Sequence, residues 1–104
     1  MKNDIESIAQ RVLNIYPVKR AGLFGSAARG DMTTNSDIDM IVEFLPDTRG
    51  ILFFGLQVDL EEALNRSVDL ITFDALQHEA KQQFKENVLQ DMRIIYERER
   101  ATIL

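Results

Sequence analysis

The sequence predicts an α/β (α+β) domain built on a small mixed β-sheet flanked by helices. Three observations carry that reading. Segments with helical apolar spacing alternate with short apolar runs along most of the chain, the pattern of helices layered on a sheet. The run Met40-Ile41-Val42 is apolar without alternation, as in a strand buried on both faces. No internal repeat, low-complexity stretch or linker divides the 104 residues, so one domain over residues 1–104 is expected.

Residues 3–16 read as a first helix, because Ile5, Ile8, Ala9, Val12, Leu13 and Tyr16 recur three or four residues apart as one apolar stripe. Asn3 or Asp4 can cap its start, and Pro17 stops it. Val18–Phe24 is a short strand ending at Gly25. Ser26–Arg29 is a helical turn closed by Gly30, and 31–36 is a polar loop. Asp37–Phe44 is a strand that should be central. A loop with Pro46, Asp47 and Gly50 follows. Residues 51–65 are helical, with Leu52, Leu56, Leu60 and Leu64 repeating every four. Residues 67–73 (SVDLITF) form a third strand, and 76–90 an amphipathic helix carrying Ala80, Phe84, Val88 and Leu89. Residues 91–97 fit either a strand or a continuing helix. The tail from 97 to 104 is expected to be frayed or held by a partner.

With 45% hydrophobic residues the chain can fill a core. It has no cysteine, which excludes a disulfide framework, a thiolate metal site and a cysteine nucleophile. No apolar run is long enough to span a membrane, and the polar N-terminus is not a secretory signal. A cytoplasmic protein is expected. The net charge is -5 and no Lys/Arg cluster offers a basic face, so no direct nucleic-acid contact is expected. The acidity suits carboxylate metal ligands, ordinary solubility or a basic protein partner.

The chemistry concentrates in LFGSAARGDMTTNSDIDMIVEF, residues 23–44. Asp37 and Asp39 are spaced i, i+2, which sets both carboxylates on one face of a strand. Gly25 lets the backbone approach a phosphate, and Ser26 opens a turn whose free N–H groups favour an anion. A phosphate cradle beside a carboxylate pair points to nucleotidyl transfer with Mg²⁺. Two such ions, roughly 3.5–4 Å apart, can stabilise both the attacking and the leaving oxygen.

These parts meet only if the first two strands run antiparallel. A right-handed crossover would then make the second and third strands parallel and bring Asp69 to the same rim. Asp69 enters an apolar strand, so it needs a partner or a metal; it is the candidate third ligand and proton acceptor. Arg29 can reach the triphosphate or pair with Asp31 or Asp37. Ser36 can bind a metal-linked phosphate or cap its loop. Asp74 reads as an N-cap, His78 as a surface or cap residue, Phe53 and Phe54 as core, and Asp59, Glu61 and Glu62 as a solvated helix face.

The segments GSAARG, SDIDMIV and VDLITF resemble the minimal nucleotidyltransferases of the DNA polymerase β superfamily. The resemblance is sharp over residues 22–44, fits the helix and strand to residue 73, and is loose beyond 76. It implies a polymerase β-like fold, with Gly25 and Ser26 as the nucleotide-phosphate motif. It implies Asp37 and Asp39 as Mg²⁺ ligands, Asp69 as the third carboxylate and Arg29 as a phosphate contact. Ala27 stands where many members carry a second basic residue, and Asp31 where a neutral residue is usual.

Small members of this family are antitoxins paired with helical HEPN ribonuclease toxins, some of which they silence by moving AMP from ATP onto a tyrosine. The resemblance therefore implies a Mg²⁺-dependent protein adenylyltransferase with ATP as substrate and a HEPN-type toxin as partner. The short chain leaves no room for an acceptor-holding domain, which favours an acceptor presented by a partner. The alternatives are a module that neutralises the toxin by binding alone, docking through Ile94, Ile95, Tyr96, Ile103 and Leu104, or a transferase acting on a small molecule.

Overall fold

The computed structural model describes residues 2–99, with side chains from residue 5 onward. In chain order the elements are α1 (Lys2–Ile15), β1 (Val18–Phe24), α2 (Gly25–Arg29), β2 (Ile38–Phe44), α3 (Ile51–Leu64), β3 (Val68–Thr72), α4 (Phe73–Gln77), α5 (Gln82–Asp91) and β4 (Arg93–Glu97). The four strands form one mixed sheet in the order β3-β2-β1-β4. β1 runs antiparallel to β2 and β4, and β2 runs parallel to β3, as the chemistry required. Residues 91–97 resolve into the end of α5 and an edge strand.

The two faces of the sheet are covered unequally. On one face Leu23, Met40, Val42 and Leu70 pack against Ala9 and Leu13 of α1 and Leu56 and Leu60 of α3. Leu13, Leu56 and Leu60 are wholly buried, each contributing about 1.5–3 kcal/mol of transfer free energy. The other face carries a smaller cluster of Phe24, Ile41, Leu76 and Val88. Strand alternation sends Met40 and Val42 to the first face and Ile41 to the second, so Asp39 projects on the thinly covered side.

Several boundaries differ from expectation for identifiable reasons. The expected helix 76–90 is two helices. The Thr72 hydroxyl accepts the Ala75 N–H at 3.0 Å and starts α4 directly at the end of β3. The role expected of Asp74 therefore belongs to Thr72, and Phe73 is helical. The His78 N–H then closes on the Ala75 carbonyl, and the Glu79 side chain accepts the Lys81 N–H, turning the chain before α5. Asn65 ends α3 in the left-handed region at φ 53°. Asp37 lies one residue outside β2. Phe53 packs partly on the core, but Phe54 is 65% exposed.

Two acids of α3 expected to be merely solvated are bonded. The Tyr16 hydroxyl donates to Asp59 at 2.5 Å, and Glu61 accepts the Val68 N–H at 3.0 Å. Gly55 makes the first contact possible, since a Cβ there would meet the Tyr16 Oη at 3.1 Å. Ile95 is buried in the core and Tyr96 is partly buried, bonding Asn14, so neither forms the free docking surface expected. The guanidinium of Arg98 holds the Val18 and Tyr16 carbonyls at 2.9 and 2.8 Å, so the tail is anchored at its start. Ile103 and Leu104 lie outside the described residues.

Candidate active site

β1 ends at Phe24, whose register partner on β2 is Asp39; the register partner of Asp39 on β3 is Asp69. The antiparallel and parallel pairings thus line up the exit of β1 with the entrances of β2 and β3. Gly25, Ser26, Asp37, Asp39 and Asp69 share one rim. Gly25 sits at φ +64°, and a Cβ there would overlap the Asp39 carboxylate, with Asp39 Cγ only 3.3 Å away. Glycine is therefore favoured twice, by the backbone conformation and by the approach of the carboxylate. Because α2 has only five residues, any attraction for an anion rests on its local N–H groups and not on a long helix dipole.

Asp39 is half-buried, and its carboxyl is pushed up from its ordinary value of 3.8. Burial is the largest cause, followed by the charges of Asp69 and Asp37; Arg29 pulls weakly the other way. Negative charge is therefore crowded where a cation would relieve it. Asp37 and Asp69 are exposed. Among the described residues no group of three or more His, Cys, Asp or Glu side chains gathers closely enough to hold a metal. Mg²⁺ typically takes one or two carboxylates and completes its shell with water and phosphate oxygens, so a pair of carboxylates at the rim would suffice. Asp37 and Asp39 are the pair that would hold it.

A cavity of about 320 Å³ opens at this rim, with Gly25, Ser26, Arg29 and Asp39 on one side and Phe84, Asn87 and Asp91 of α5 on the other. A larger cavity of about 510 Å³ is lined by Leu23, Met32, Leu64 and Arg66. It lies on the α1/α3 side and contains none of the candidate residues, whereas the smaller one holds four of them and leaves Asp37 and Asp69 outside its lining. Ser36 turns away into its own loop, where its Oγ accepts the Thr33 N–H at 2.9 Å. It acts there as a loop cap. Arg29 does not pair with Asp37; it donates to Asp31 at 3.2 Å and to Asp91 at 2.7 Å. These two carboxylates, Asp31 first, hold its guanidinium still more firmly charged than usual.

Asp91 and Asn87 escaped the sequence reading, which placed Phe84 only on the apolar side of an amphipathic helix. Asp91 lies 62 positions from Arg29, and no local motif links the two. The only signal was that Asp91 follows directly on an apolar-periodic segment. Asp74 stays exposed at the start of α4, and the exposed His78 ring contacts the Asp74 carbonyl at 2.9 Å.

The chain matches the family described as polymerase beta, nucleotidyltransferase over residues 3–101. It is 46% identical over 61 residues to a proposed protein adenylyltransferase of Methanocaldococcus jannaschii, covering 59% of this chain and 71% of that one. Its fold is similar to that in a crystal structure of a toxin–antitoxin with AMP-PNP. There the TM-score is 0.69 and the identity 25%, over 89% of this chain and 73% of that one. A structure of the tri-AMPylated HEPN toxin of Shewanella oneidensis in complex with an MNT antitoxin gives a TM-score of 0.65 at 23% identity, over 94% and 74% of the two chains. At that identity the likeness is one of fold.

Proposed function

Given that the chain belongs to the polymerase beta nucleotidyltransferase family, we propose that it is an antitoxin that transfers AMP from ATP to a tyrosine hydroxyl of a helical HEPN ribonuclease toxin and so silences it. The observation that supports this is the register Phe24–Asp39–Asp69, which sets the Gly25-Ser26 turn beside Asp39 and Asp69. The choice of a protein acceptor is supported by the adenylyltransferase relative and by the toxin–antitoxin structures of similar fold.

In this reading Gly25 and Ser26 receive the β- and γ-phosphates, with Arg29 at their side. The acceptor oxygen attacks the α-phosphorus, the bond to pyrophosphate breaks, and the hydroxyl proton passes to the Asp69 carboxylate. Mg²⁺ held by Asp37 and Asp39 would supply charge neutralisation along the in-line displacement. The half-buried setting of Asp39 strengthens its hold on a cation, because the carboxylate has given up part of its water.

The test is intact-mass spectrometry of the cognate toxin after incubation with this chain, ATP and Mg²⁺. Mass gains in AMP steps, lost with Asp37→Asn or Asp39→Asn, are expected. A stable complex without mass gain would replace transfer by neutralisation through binding. Neither complex nor gain would remove the antitoxin reading.

A further inference from the structure

β3 is an edge strand, with β2 on one side only. Edge strands leave a row of backbone groups without a ladder partner. At Val68 that row is filled from α3: the Val68 N–H donates to Glu61 Oε2 at 3.0 Å, and the Val68 carbonyl accepts from Gln57 Nε2 at 2.9 Å. Gln57 and Glu61 are one helical turn apart and reach the same residue, acting together as a substitute neighbouring strand.

Val68 is buried and directly precedes Asp69. Its carbonyl belongs to the planar peptide unit that ends at the Asp69 Cα. Fixing that carbonyl fixes the plane from which the Asp69 side chain departs. Glu61 fixes the preceding peptide plane in the same way. The Ile38 N–H, bonded to the Ser67 carbonyl at 2.9 Å, ties the same corner to β2.

We propose that Gln57 and Glu61 are positioning residues for the transfer reaction: by gripping both backbone polar groups of Val68, they hold Asp69 beside Asp39. This rests on the nucleotidyl-transfer reading, in which Asp69 takes the proton. Both side chains are engaged by Val68 on the edge of β3 away from β2, so their effect should fall on the chemical step and spare ATP binding.

The experiment compares Glu61→Ala, Glu61→Gln and Gln57→Ala for AMP transfer to the toxin, with the Val68 amide followed by hydrogen exchange. Glu61→Gln keeps an oxygen that can accept the Val68 N–H. Glu61→Ala and Gln57→Ala are expected to lower kcat by roughly 10- to 100-fold, the scale of a misplacement of about 1 Å. The KM for ATP should stay within about twofold. Glu61→Gln should keep kcat near wild type, and Val68 exchange should accelerate in Glu61→Ala but not in Glu61→Gln. Equal kcat in Glu61→Ala and wild type, a loss confined to KM, or no rescue by Glu61→Gln would overturn the proposal while leaving the transfer reading intact. A wild-type chain that transfers nothing would overturn both.

Discussion

Replacing Gly25 by alanine separates two roles that glycine plays at the rim, and Gly30 provides the control. Both residues sit in the left-handed region, at φ +64° and +85°. An L-residue there costs roughly 1–2 kcal/mol, so both variants carry this strain. They differ in what the new methyl meets. At Gly30 nothing lies within 4 Å, whereas at Gly25 the Asp39 carboxylate occupies the space. Gly25→Ala must therefore push Asp39 off its rotamer, an added cost of about 0.5–1.5 kcal/mol. The shared strain cancels between the variants. At about 4 °C per kcal/mol for a chain near this size, Gly25→Ala should melt about 2–6 °C below Gly30→Ala. The functional contrast should be larger, because under the proposed function Asp39 would hold Mg²⁺ and a misplacement of about 1 Å costs on the order of 100-fold in kcat, while Gly30→Ala leaves Asp39 in place. Thermal denaturation and AMP-transfer kinetics on the two purified variants give the answer. Equal activity in both would refute the claim that Gly25 makes room for Asp39.

Three further outcomes follow from the same geometry. Asp39→Asn should raise the melting temperature at neutral pH in the absence of Mg²⁺. The folded-state pKa of Asp39 lies above its unfolded value of 3.8, so its ionised form opposes folding, and the gap to the variant should close as pH falls through the folded pKa towards that value. ATP with Mg²⁺ should stabilise wild type and not this variant; a variant no more stable than wild type would contradict the crowding of charge. Tyr16, pushed up to about 12 chiefly by its hydrogen bond to Asp59, should ionise well above the free phenol in an absorbance titration. Its protonated form is favoured by the fold, so this stabilisation is full below 10 and lost as pH rises through about 12. Asp59→Asn should return the titration towards 10. Asp91→Asn should loosen Arg29 and raise the KM for ATP by about 1.4- to fivefold, the range of an exposed ion pair worth 0.2–1 kcal/mol; a lowered KM would show that Asp91 competes with the phosphates.

The motif and the mixed topology were legible because they are local or forced. Gly-Ser and Asp-x-Asp are a few residues each, and only one strand arrangement lets them meet. The apolar run at 40–42 marked the central strand for the same reason. What escaped involved long sequence separation or a competition between near-equal conformations. Asp91 reaches Arg29 from the far end of the chain. Glu61 looked like one more acid on a polar helix face, yet it closes the edge of the sheet. The break between α4 and α5 carries neither glycine nor proline. It is made by the His78 N–H closing on the Ala75 carbonyl and the Glu79 side chain capturing the Lys81 N–H, and each such bond outweighs helix propensity by only a small margin.

The unequal coverage of the sheet bears on which wall of the candidate cavity is held least firmly. The face under α1 and α3 is anchored by a continuous apolar layer, while α4 and α5 are held to the opposite face mainly through Leu76 and Val88 against Phe24 and Ile41. Free energy of local opening scales with what each layer buries. On that scaling α5, the wall of the candidate cavity, is expected to open at lower free energy than the strands bearing Asp39 and Asp69, and its amides to exchange faster. Motion of that wall would change the width of the cavity while leaving Asp39 in register with Asp69.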